Sequence, residues 1–448
     1  MDMVNQGYDR AQDIVARARR AGVDAADAVF VGGTALDVSV RLGKLEDVGR
    51  SEGAELGLRV FVGKRNASVS TSDLSSHALD MLVERAVAMA REAPEDPWAG
   101  LAPQERLLTG AAPPLDLFDG AELSPEALKL RALEAEDAAR AVPGVINSEG
   151  AGAGMSSTAM ALVTSHGFAG AYASTSFGIS ASVLAGADGA MERDYAHHSA
   201  HHLAALEAPA LVGRRAGERT VKRLNPGHIA SGTMPVVFDQ RVSGGLLGHL
   251  ISAISGQSIS RKSSFLLKAL GTEIFARGVQ VRDDPLRAQG QRSRPFDGEG
   301  LPVAPVDIIA DGVLTTWLLD SASARQLGLS PTGHATRGIG GAPGVSSSNL
   351  YMAPGSLSPT ALIADIKHGV YITELIGMGV NAVTGDYSRG ASGFRIENGE
   401  ITAPVAEFTI AGNLADMYRA LVPADDLELR YGTNAPTLRI DGMTIASG

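Results

Sequence analysis

Four closely spaced histidines are the first residues of this chain whose types and spacing could do chemistry. His197, His198, His201 and His202 fall in one short segment. If the segment is helical, the pairs 197/201 and 198/202 each place two imidazoles on one face, a spacing that can bind a divalent metal. Two acidic residues lie just upstream, but neither completes a defined ligand set. We therefore favour the alternative interpretation, a polar hinge before the next helix.

A second candidate is the acidic pair Asp297 and Glu299, within the stretch Arg294–Gly300. Paired carboxyl groups are typical of glycosidases, but their spacing in sequence does not fix the separation of the carboxyl groups that the chemistry requires. A tight turn built on Gly298 and Gly300 is the interpretation that we favour.

Other reactive patterns are incomplete. The glycine-rich stretch Arg337–Asn349 lacks the lysine, the preceding strand and the following helix of a phosphate-binding loop, so we do not expect nucleotide binding. Gly152–Met155 lacks the serine of a hydrolase nucleophile elbow. The chain has no cysteine, which excludes disulfides, thiolate metal ligands and a cysteine nucleophile.

Composition restricts the function further. A length of 448 residues predicts two or three domains, and a net charge of −11 argues against general binding to nucleic acid. We interpret the basic pairs Arg214-Arg215 and Lys222-Arg223 as a solvated helix face. No apolar stretch is long enough to span a membrane, and the first residues do not resemble a secretory signal. We therefore expect a cytoplasmic protein.

The elements of residues 1–100 predict a small α/β layer with helices on a mainly antiparallel sheet. The periodicity of apolar residues predicts a helix over 8–21 and a longer helix from a cap at Asp73 to about Glu92. Alternating apolar residues predict the strands between these helices, at 28–31, 36–41, 56–62 and 67–70.

Residues 101–225 predict a central segment of helices and strands that packs with the first layer. After a proline-rich connector over 94–120, Ser124-Pro125 has the composition of a helix start, and the helix should end near 141. A second helix is expected over 208–223. Antiparallel strands are expected between them at 145–151, 156–165 and 172–186, with turns at His166-Gly167 and at residues 187–189.

Residues 226–448 predict a β-rich C-terminal domain. A strand at 234–239 precedes a helix at 241–255, and many short apolar runs separated by glycine follow. The fold class expected for the whole chain is therefore α+β.

One C-terminal region resembles a known family. The stretch from Asp386 to Ile401, followed by Ile410–Met417, resembles the signature of the TldD/PmbA family, the "modulator of DNA gyrase" proteins. Matching patterns at Phe296–Gly300, Ser330–His334 and Asn349–Gly355 extend the resemblance, in order, over nearly the whole chain. The resemblance implies a two-subunit metallopeptidase in which one subunit carries zinc and the other does not.

The resemblance also implies which subunit this is. The metal-bearing subunit has an HExxxH motif and a cysteine as third ligand, whereas this chain reads Gly244-Gly245-Leu246-Leu247-Gly248-His249 and has no cysteine. It is thus similar to the PmbA (TldE) side, and we assign it no catalytic, cofactor-binding or metal-binding residue. His249, the one histidine that survives, is interpreted as a packed or solvent-facing helix residue.

The partners that the resemblance implies are a zinc-bearing TldD-type sister subunit and unfolded peptides, such as precursors of peptide antibiotics and an antitoxin. Such peptides would be gripped as an added strand, and the isolated chain can also be expected to form a homodimer. Two alternatives stay open. One is an autonomous metal-dependent peptidase that uses the 197–202 histidines, and the other is a protein that binds unfolded peptides without cleaving them.

Overall fold

The first half of the chain builds one antiparallel sheet that carries helices on a single face. The structure, a computed structural model, describes residues 2–187 and 190–447. The strands are β1 (Ala25–Arg41), β2 (Lys44–Val62), β3 (Arg65–Thr71), β4 (Val145–Thr164), β5 (Ala169–Ala187) and β6 (Ala190–Ala200). Their order across the sheet is β3-β2-β1-β4-β5-β6, and each neighbouring pair is antiparallel.

Four helices cover one face of this sheet because every second strand residue on that face is apolar. They are α1 (Asp2–Arg20), α2 (Ser76–Glu92), α3 (Pro125–Arg140) and α4 (Pro209–Lys222). The helices α1 and α2 pack on residues such as Phe30 and Leu58, whereas α3 and α4 pack on residues such as Val38 and Ile179. The opposite face is therefore left for the second half of the chain.

The helix bounds test the predicted caps. The predicted start of α3 is confirmed, because the Ser124 hydroxyl accepts a hydrogen bond from the backbone N–H of Ala127 at 3.1 Å. The predicted cap at Asp73 is wrong. Ser75 caps α2, and the Asp73 carboxylate instead accepts from the Ser75 N–H at 2.9 Å. The first helix begins at Asp2 rather than at residue 8.

Several predicted strands are parts of longer ones. The segments 28–31 and 36–41 form the single strand β1, because Gly33 has no Cβ that would clash with the carbonyl oxygen of Ser157 on β4. The segments 145–151 and 156–165 are likewise one strand, and β2 begins twelve residues before its predicted start at Leu56. Part of the predicted turn at residues 187–189 lies outside the described residues.

The second half of the chain forms a closed sheet that packs against one face of a helix. The large sheet contains β7 (Gly232–Phe238), β14 (His368–Val380), β15 (Asp386–Glu397), β16 (Glu400–Asn413), β17 (Val422–Pro423) and β19 (Leu438–Ser447). Its order is β16-β15-β14-β7-β19-β17, and a further pairing of β16 with β19 closes it. The helix α5 (Gln240–Ala253) follows β7 and buries Leu246, Leu247 and Leu250 in the core.

Smaller elements complete the C-terminal half. A five-stranded sheet contains β8 (Val281–Asp283), β9 (Val306–Ala310), β10 (Val313–Leu314), β13 (Leu350–Met352) and β18 (Thr433–Asn434). A two-stranded ribbon pairs β11 (Ala335–Thr336) with β12 (Gly344–Val345). The short helices are α6 (Gly256–Ser260), α7 (Ser321–Leu327), α8 (Pro359–Ile363) and α9 (Leu414–Ala420).

The C-terminal half packs against the face of the first sheet that carries no helix. Phe296 lies edge-on to Phe168 with ring centroids 4.9 Å apart, and both pack against Val29 and Leu162. The expected α+β class is confirmed. Within the described ranges, none of the helices is both long enough and apolar enough to cross a membrane.

Candidate functional site

The helix at the position of the HExxxH motif is intact but carries almost no metal donors. The Asp239 carboxylate caps α5 by accepting from the Arg241 N–H at 2.9 Å, and the helix then runs unbroken to Ala253. Gly245 and Gly248 are exposed, and nothing lies within 4 Å of a Cβ placed on either. Packing therefore does not require glycine at these two positions.

His249 is half-buried and lies edge-on to Tyr387, with ring centroids 5.9 Å apart. Burial, and secondly the nearby Arg389 guanidinium, lower the pKa of the imidazole, so the ring is neutral at pH 7. Neutral imidazole is the form that binds zinc, but a structural or catalytic zinc needs at least three protein ligands. In the described part of the chain, no three His, Cys, Asp or Glu side chains are grouped closely enough to hold a metal. The residues around α5 therefore do not fit zinc.

The helical interpretation of the four histidines is wrong, because His197 and His198 lie on β6. Successive strand residues point to opposite faces of the sheet. His197 is paired with Ser180 and lies on the face without helices, whereas His198 is paired with Ile179 on the helix face. The Nδ1 of His198 accepts a hydrogen bond from the Glu207 N–H at 3.2 Å.

The other two histidines follow the strand and contact backbone carbonyls. His201 places Nδ1 at 2.5 Å from the carbonyl oxygen of Thr175 and Nε2 at 3.1 Å from that of Gly290. His202 places Nε2 at 2.9 Å from the carbonyl oxygen of Asp116. Each of the four imidazoles therefore has a separate environment, with His197 and His198 in β6 and only His201 and His202 in the connection from β6 to α4.

The acidic pair at 297 and 299 is buried and holds a turn. Asp297 Oδ1 accepts from the N–H groups of Glu299 and Leu301, both at 2.9 Å. Glu299 Oε2 accepts from the Ser321 N–H at 2.8 Å and from its hydroxyl at 2.6 Å, at the start of α7. Burial, and secondly Asp297, raise the pKa of Glu299 to about 7. With Glu299 only 5% exposed, these carboxyl groups support the fold rather than face a substrate.

The glycine-rich stretch is a docking loop. Arg337 at its start is buried and pairs with Asp27 of β1, with Nη2 and Oδ1 3.0 Å apart. A Cβ on Gly57 of β2 would clash with the carbonyl oxygen of Ile339, so the loop lies directly on the first sheet. Nothing in this arrangement offers a cradle to a phosphate.

A polar cavity of about 270 Å³ lies in the seam between β6, α4 and the start of α5. Sequence reasoning missed it. The helix α4 contributes Arg215 and Arg219 to this cavity, and Arg223, which caps the helix, continues the four-residue interval along the same face and lines a neighbouring cavity. The interpretation of the pairs Arg214-Arg215 and Lys222-Arg223 as a solvated face is wrong for Arg215 and Arg223, whereas Arg214 and Lys222 are exposed. Arg215 pairs with Glu207 at 2.8 Å and Arg223 with Glu374 at 2.5 Å. The four-residue interval was the signal that sequence reasoning could have used.

The chain thus joins an antiparallel sheet with helices on one face to a closed sheet that packs against the helix α5. Three family models match the chain. They describe PmbA/TldA metallopeptidase domain 1 over residues 26–90, the central domain over 118–224 and the C-terminal domain over 231–447. The chain belongs to the PmbA/TldD metallopeptidase family.

Curated relatives agree with this assignment. The chain is 41% identical to Metalloprotease PmbA of Escherichia coli O157:H7, covering 94% of this chain and 92% of that protein. It is 38% identical to a Metalloprotease PmbA homolog of Haemophilus influenzae, covering 92% and 90%. Among solved structures, it is similar to a modulator of DNA gyrase from Bacteroides thetaiotaomicron, with a TM-score of 0.90, 28% identity and 98% coverage of both chains. TldE of Thermococcus kodakarensis shares the fold, with a TM-score of 0.86 at 19% identity over 98% of this chain and all of that one.

Proposed function

We propose that this chain is the non-catalytic partner subunit of a two-subunit zinc metallopeptidase that cleaves unfolded peptides in the cytoplasm. Membership in the family and the name metalloprotease on its relatives support the reaction class. In this proposal the zinc belongs to a TldD-type sister subunit, and this chain completes the chamber and holds the substrate.

One observation carries the proposal. The motif helix α5 keeps its cap, its length and its buried leucines, but Gly244 and Gly245 replace the first histidine and the glutamate. The glutamate is the general base that activates zinc-bound water in this motif. Because a side chain at 245 would meet no neighbour, the loss of the donor is separate from any packing need. A preserved helix without donors is what we expect of a subunit that pairs with a catalytic one.

Peptide binding by strand addition requires a free sheet edge. In the C-terminal sheet, the pairing of β16 with β19 removes edges that an added strand could use. In the first sheet, the edge strands among the described residues are β3 and β6, and His197 of β6 lines the polar cavity. Side chains cap two carbonyls of β6. Arg219 donates to the oxygen of Tyr195 at 3.4 Å, and Gln291 donates to that of Ser199 at 2.9 Å. A peptide strand added at this edge would replace these two side-chain donors with its own main-chain N–H groups.

The test is cleavage of an unfolded peptide by this chain alone, by its TldD-type sister alone and by the two mixed. We expect cleavage only in the mixture, and a chelator should abolish it. Metal analysis of the separate proteins should find zinc with the sister. Chelator-sensitive cleavage by this chain alone would contradict the proposal and favour an autonomous peptidase. An intact peptide after long incubation with the assembled pair would favour binding without proteolysis.

A further inference from the structure

Three cavities follow one another along the seam between the first sheet and the C-terminal half. The first, of about 570 Å³, lies on the open face of the sheet, and the second is the polar cavity of about 270 Å³. His197 lines both. The third, of about 540 Å³, shares Arg219, Asp239, Arg241 and Tyr371 with the second. Because these neighbouring cavities have lining residues in common, we consider them together and call the row of three the seam channel below.

The floor of the first cavity is formed by small residues. Alternate positions of β4 and β5 place glycine and serine on the open face, and examples are Gly154, Ser156, Ser176 and Gly178. An extended peptide can approach the glycine and serine positions closely, beside the side chains of Asp37, Asp47 and His197 that also line the cavity. The channel therefore has an open section, the first cavity, in which the main chain of a peptide can lie. Its polar section is the second cavity.

The acidic residues in and around the polar section already have partners. Glu428, which lines it, lies 3.5 Å from Nη1 of Arg430. Glu207 binds Arg215 and Arg430, each at 2.8 Å, and this lowers the pKa of its carboxyl to about 2 despite the opposing effect of burial. Asp194 binds Arg241 at 2.7 Å and also lies 3.6 Å from Arg223.

Two further acids in the walls are held by hydrogen bonds. Asp239 caps α5 and accepts from the Tyr371 hydroxyl at 2.8 Å. Asp426 accepts from the N–H and the hydroxyl of Thr437 at 2.8 and 2.7 Å. These carboxylates are therefore held in place by neighbouring groups.

Arg219 is an arginine of the polar section that pairs with no carboxylate among the described residues. Its Nη1 reaches only the carbonyl oxygen of Tyr195, at 3.4 Å, and no carboxylate of residues 2–187 or 190–447 lies within 4.0 Å of its guanidinium. Burial, and then the charge of Arg241, lower the pKa of Arg219. In the same cavity, Nη2 of Arg430 is buried and has no hydrogen-bond partner among the described residues. A buried guanidinium donor without a partner is costly, so Nη2 of Arg430 indicates a missing acceptor, and Arg219 lines the same cavity.

The charges of these arginines also act on the pKa of His197. Burial, and then the charges of Arg430, Arg219 and Arg241, lower the pKa of its imidazole. The ring lies between Tyr195 and Tyr431, with centroids 6.0 and 5.4 Å away. At neutral pH it is therefore an uncharged hydrogen-bonding group at the junction of the open and polar sections.

We propose that the seam channel binds a peptide along the open face and anchors one of its carboxylates on Arg219 and Arg430. Guanidinium groups bind carboxylates through paired, charge-assisted hydrogen bonds, and the tyrosines around His197 provide walls for the neighbouring peptide atoms. The inference rests on the proposed function and specifies its substrate class. The carboxylate belongs either to the peptide C-terminus or to an aspartate or glutamate side chain, and the experiment separates these sources.

The test measures binding rather than cleavage. Fluorescence anisotropy of a labelled unfolded peptide is followed with this chain alone and with the assembled pair. Four peptides combine a free or amidated C-terminus with an internal Glu or Gln. We expect the peptide with the recognised carboxylate to bind about tenfold or more tightly than its neutral counterpart, since a charge-assisted hydrogen bond contributes at least that much. If amidation of the C-terminus weakens binding, the recognised group is the α-carboxylate. If the exchange of Glu for Gln weakens binding, the recognised group is the side-chain carboxylate.

Matched variants locate the site. Arg219→Gln should remove the preference for the carboxylate, and Arg219→Lys should retain part of it through charge alone. Arg214→Gln, on the exposed face of the same helix, is the control and should bind as the wild type does. Circular dichroism and the melting temperature establish that each variant is folded.

Three results would overturn the inference. They are equal binding of all four peptides, equal effects of the changes at 214 and 219, and binding of inorganic phosphate without binding of any peptide. Each is compatible with cleavage confined to the mixed subunits, so this inference can fail while the proposed function stands. Conversely, carboxylate-dependent binding without cleavage by the pair would contradict the proposed function alone.

Discussion

The guanidinium of Arg337 donates a hydrogen bond to the carboxylate of Asp27 although the two residues are 310 positions apart. Arg59 binds the other oxygen of the same carboxylate from the neighbouring strand. All three side chains are buried. The two arginines keep the pKa of Asp27 below its ordinary value against the opposing effect of burial. One carboxylate thus joins the C-terminal half of the chain to the first sheet.

Replacing Arg337 with alanine should destabilise the protein by about 1.5–3 kcal/mol, because it removes a buried charge-assisted hydrogen bond while Arg59 still neutralises Asp27. The midpoint of urea denaturation measures the effect. Arg277→Ala breaks an exposed pair with Glu273 and should change stability by less than about 1 kcal/mol. Similar effects of the two changes would show that the interaction of Arg337 does not hold the halves together.

Glu299 should make stability depend on pH. Its pKa in the folded chain, about 7, lies above the ordinary value of 4.5, so between these values the folded state binds more protons than the unfolded state. Stability from this group is therefore full below about pH 4.5 and is lost as the pH rises through about 7, by up to about 3 kcal/mol. Glu299→Gln mimics the protonated acid and should gain stability over wild type as the pH rises from 5 to 8. If the stabilities of wild type and Glu299→Gln changed equally between pH 5 and 8, the assignment of the raised pKa to Glu299 would be wrong.

Two glycines on helices should respond to alanine in opposite directions. Gly245→Ala should stabilise the isolated chain by about 0.5–1 kcal/mol, since the position is exposed, helical and free of neighbours. Gly213→Ala on α4 should destabilise it by about 1–3 kcal/mol, because the new Cβ would clash with the carbonyl oxygen of Ala135 on α3. Melting temperatures of the two variants test the prediction, and a shift in the same direction would refute the difference in packing.

The isolated chain should bind zinc only substoichiometrically. After equilibration with zinc and removal of free metal, elemental analysis should find no difference between wild type, His249→Ala and His201→Ala. His249 is a lone imidazole on α5, and both ring nitrogens of His201 contact backbone carbonyls. About one tightly held zinc per chain, lost in either variant, would overturn this expectation and the separation of roles between the subunits.

Local signals made parts of the fold predictable. The serine cap and proline at Ser124-Pro125 identify the start of α3, because the cap bond spans only three residues. The apolar stripe of α1 correctly places Ile14, Val15 and Ala18 in the core. Residues 197–202 were harder to interpret, since the same four-residue spacing fits a helix, whereas pairing with β5 makes the first of them a strand.

The polar seam could not be predicted, because its contacts join distant parts of the chain. Arg430 pairs with Glu207 across 223 positions, and Arg241 pairs with Asp194 across 47. No local sequence pattern relates residues that are separated by either distance along the chain. What the sequence does contain is the interval between Arg215, Arg219 and Arg223, which predicts one charged helix face but not the acids that it meets.

The closure of the C-terminal sheet affects the order in which the chain folds during synthesis. Phe238 of β7 pairs with Leu438 of β19, so this strand waits for about 200 further residues before one of its neighbours exists. Pairings of such separation form slowly and leave strand edges unprotected in the meantime. The first sheet obtains its last strand much earlier, at Ala200. The nascent chain therefore carries a finished N-terminal half beside an open, association-prone C-terminal half, and this interval is where we expect chaperones to act.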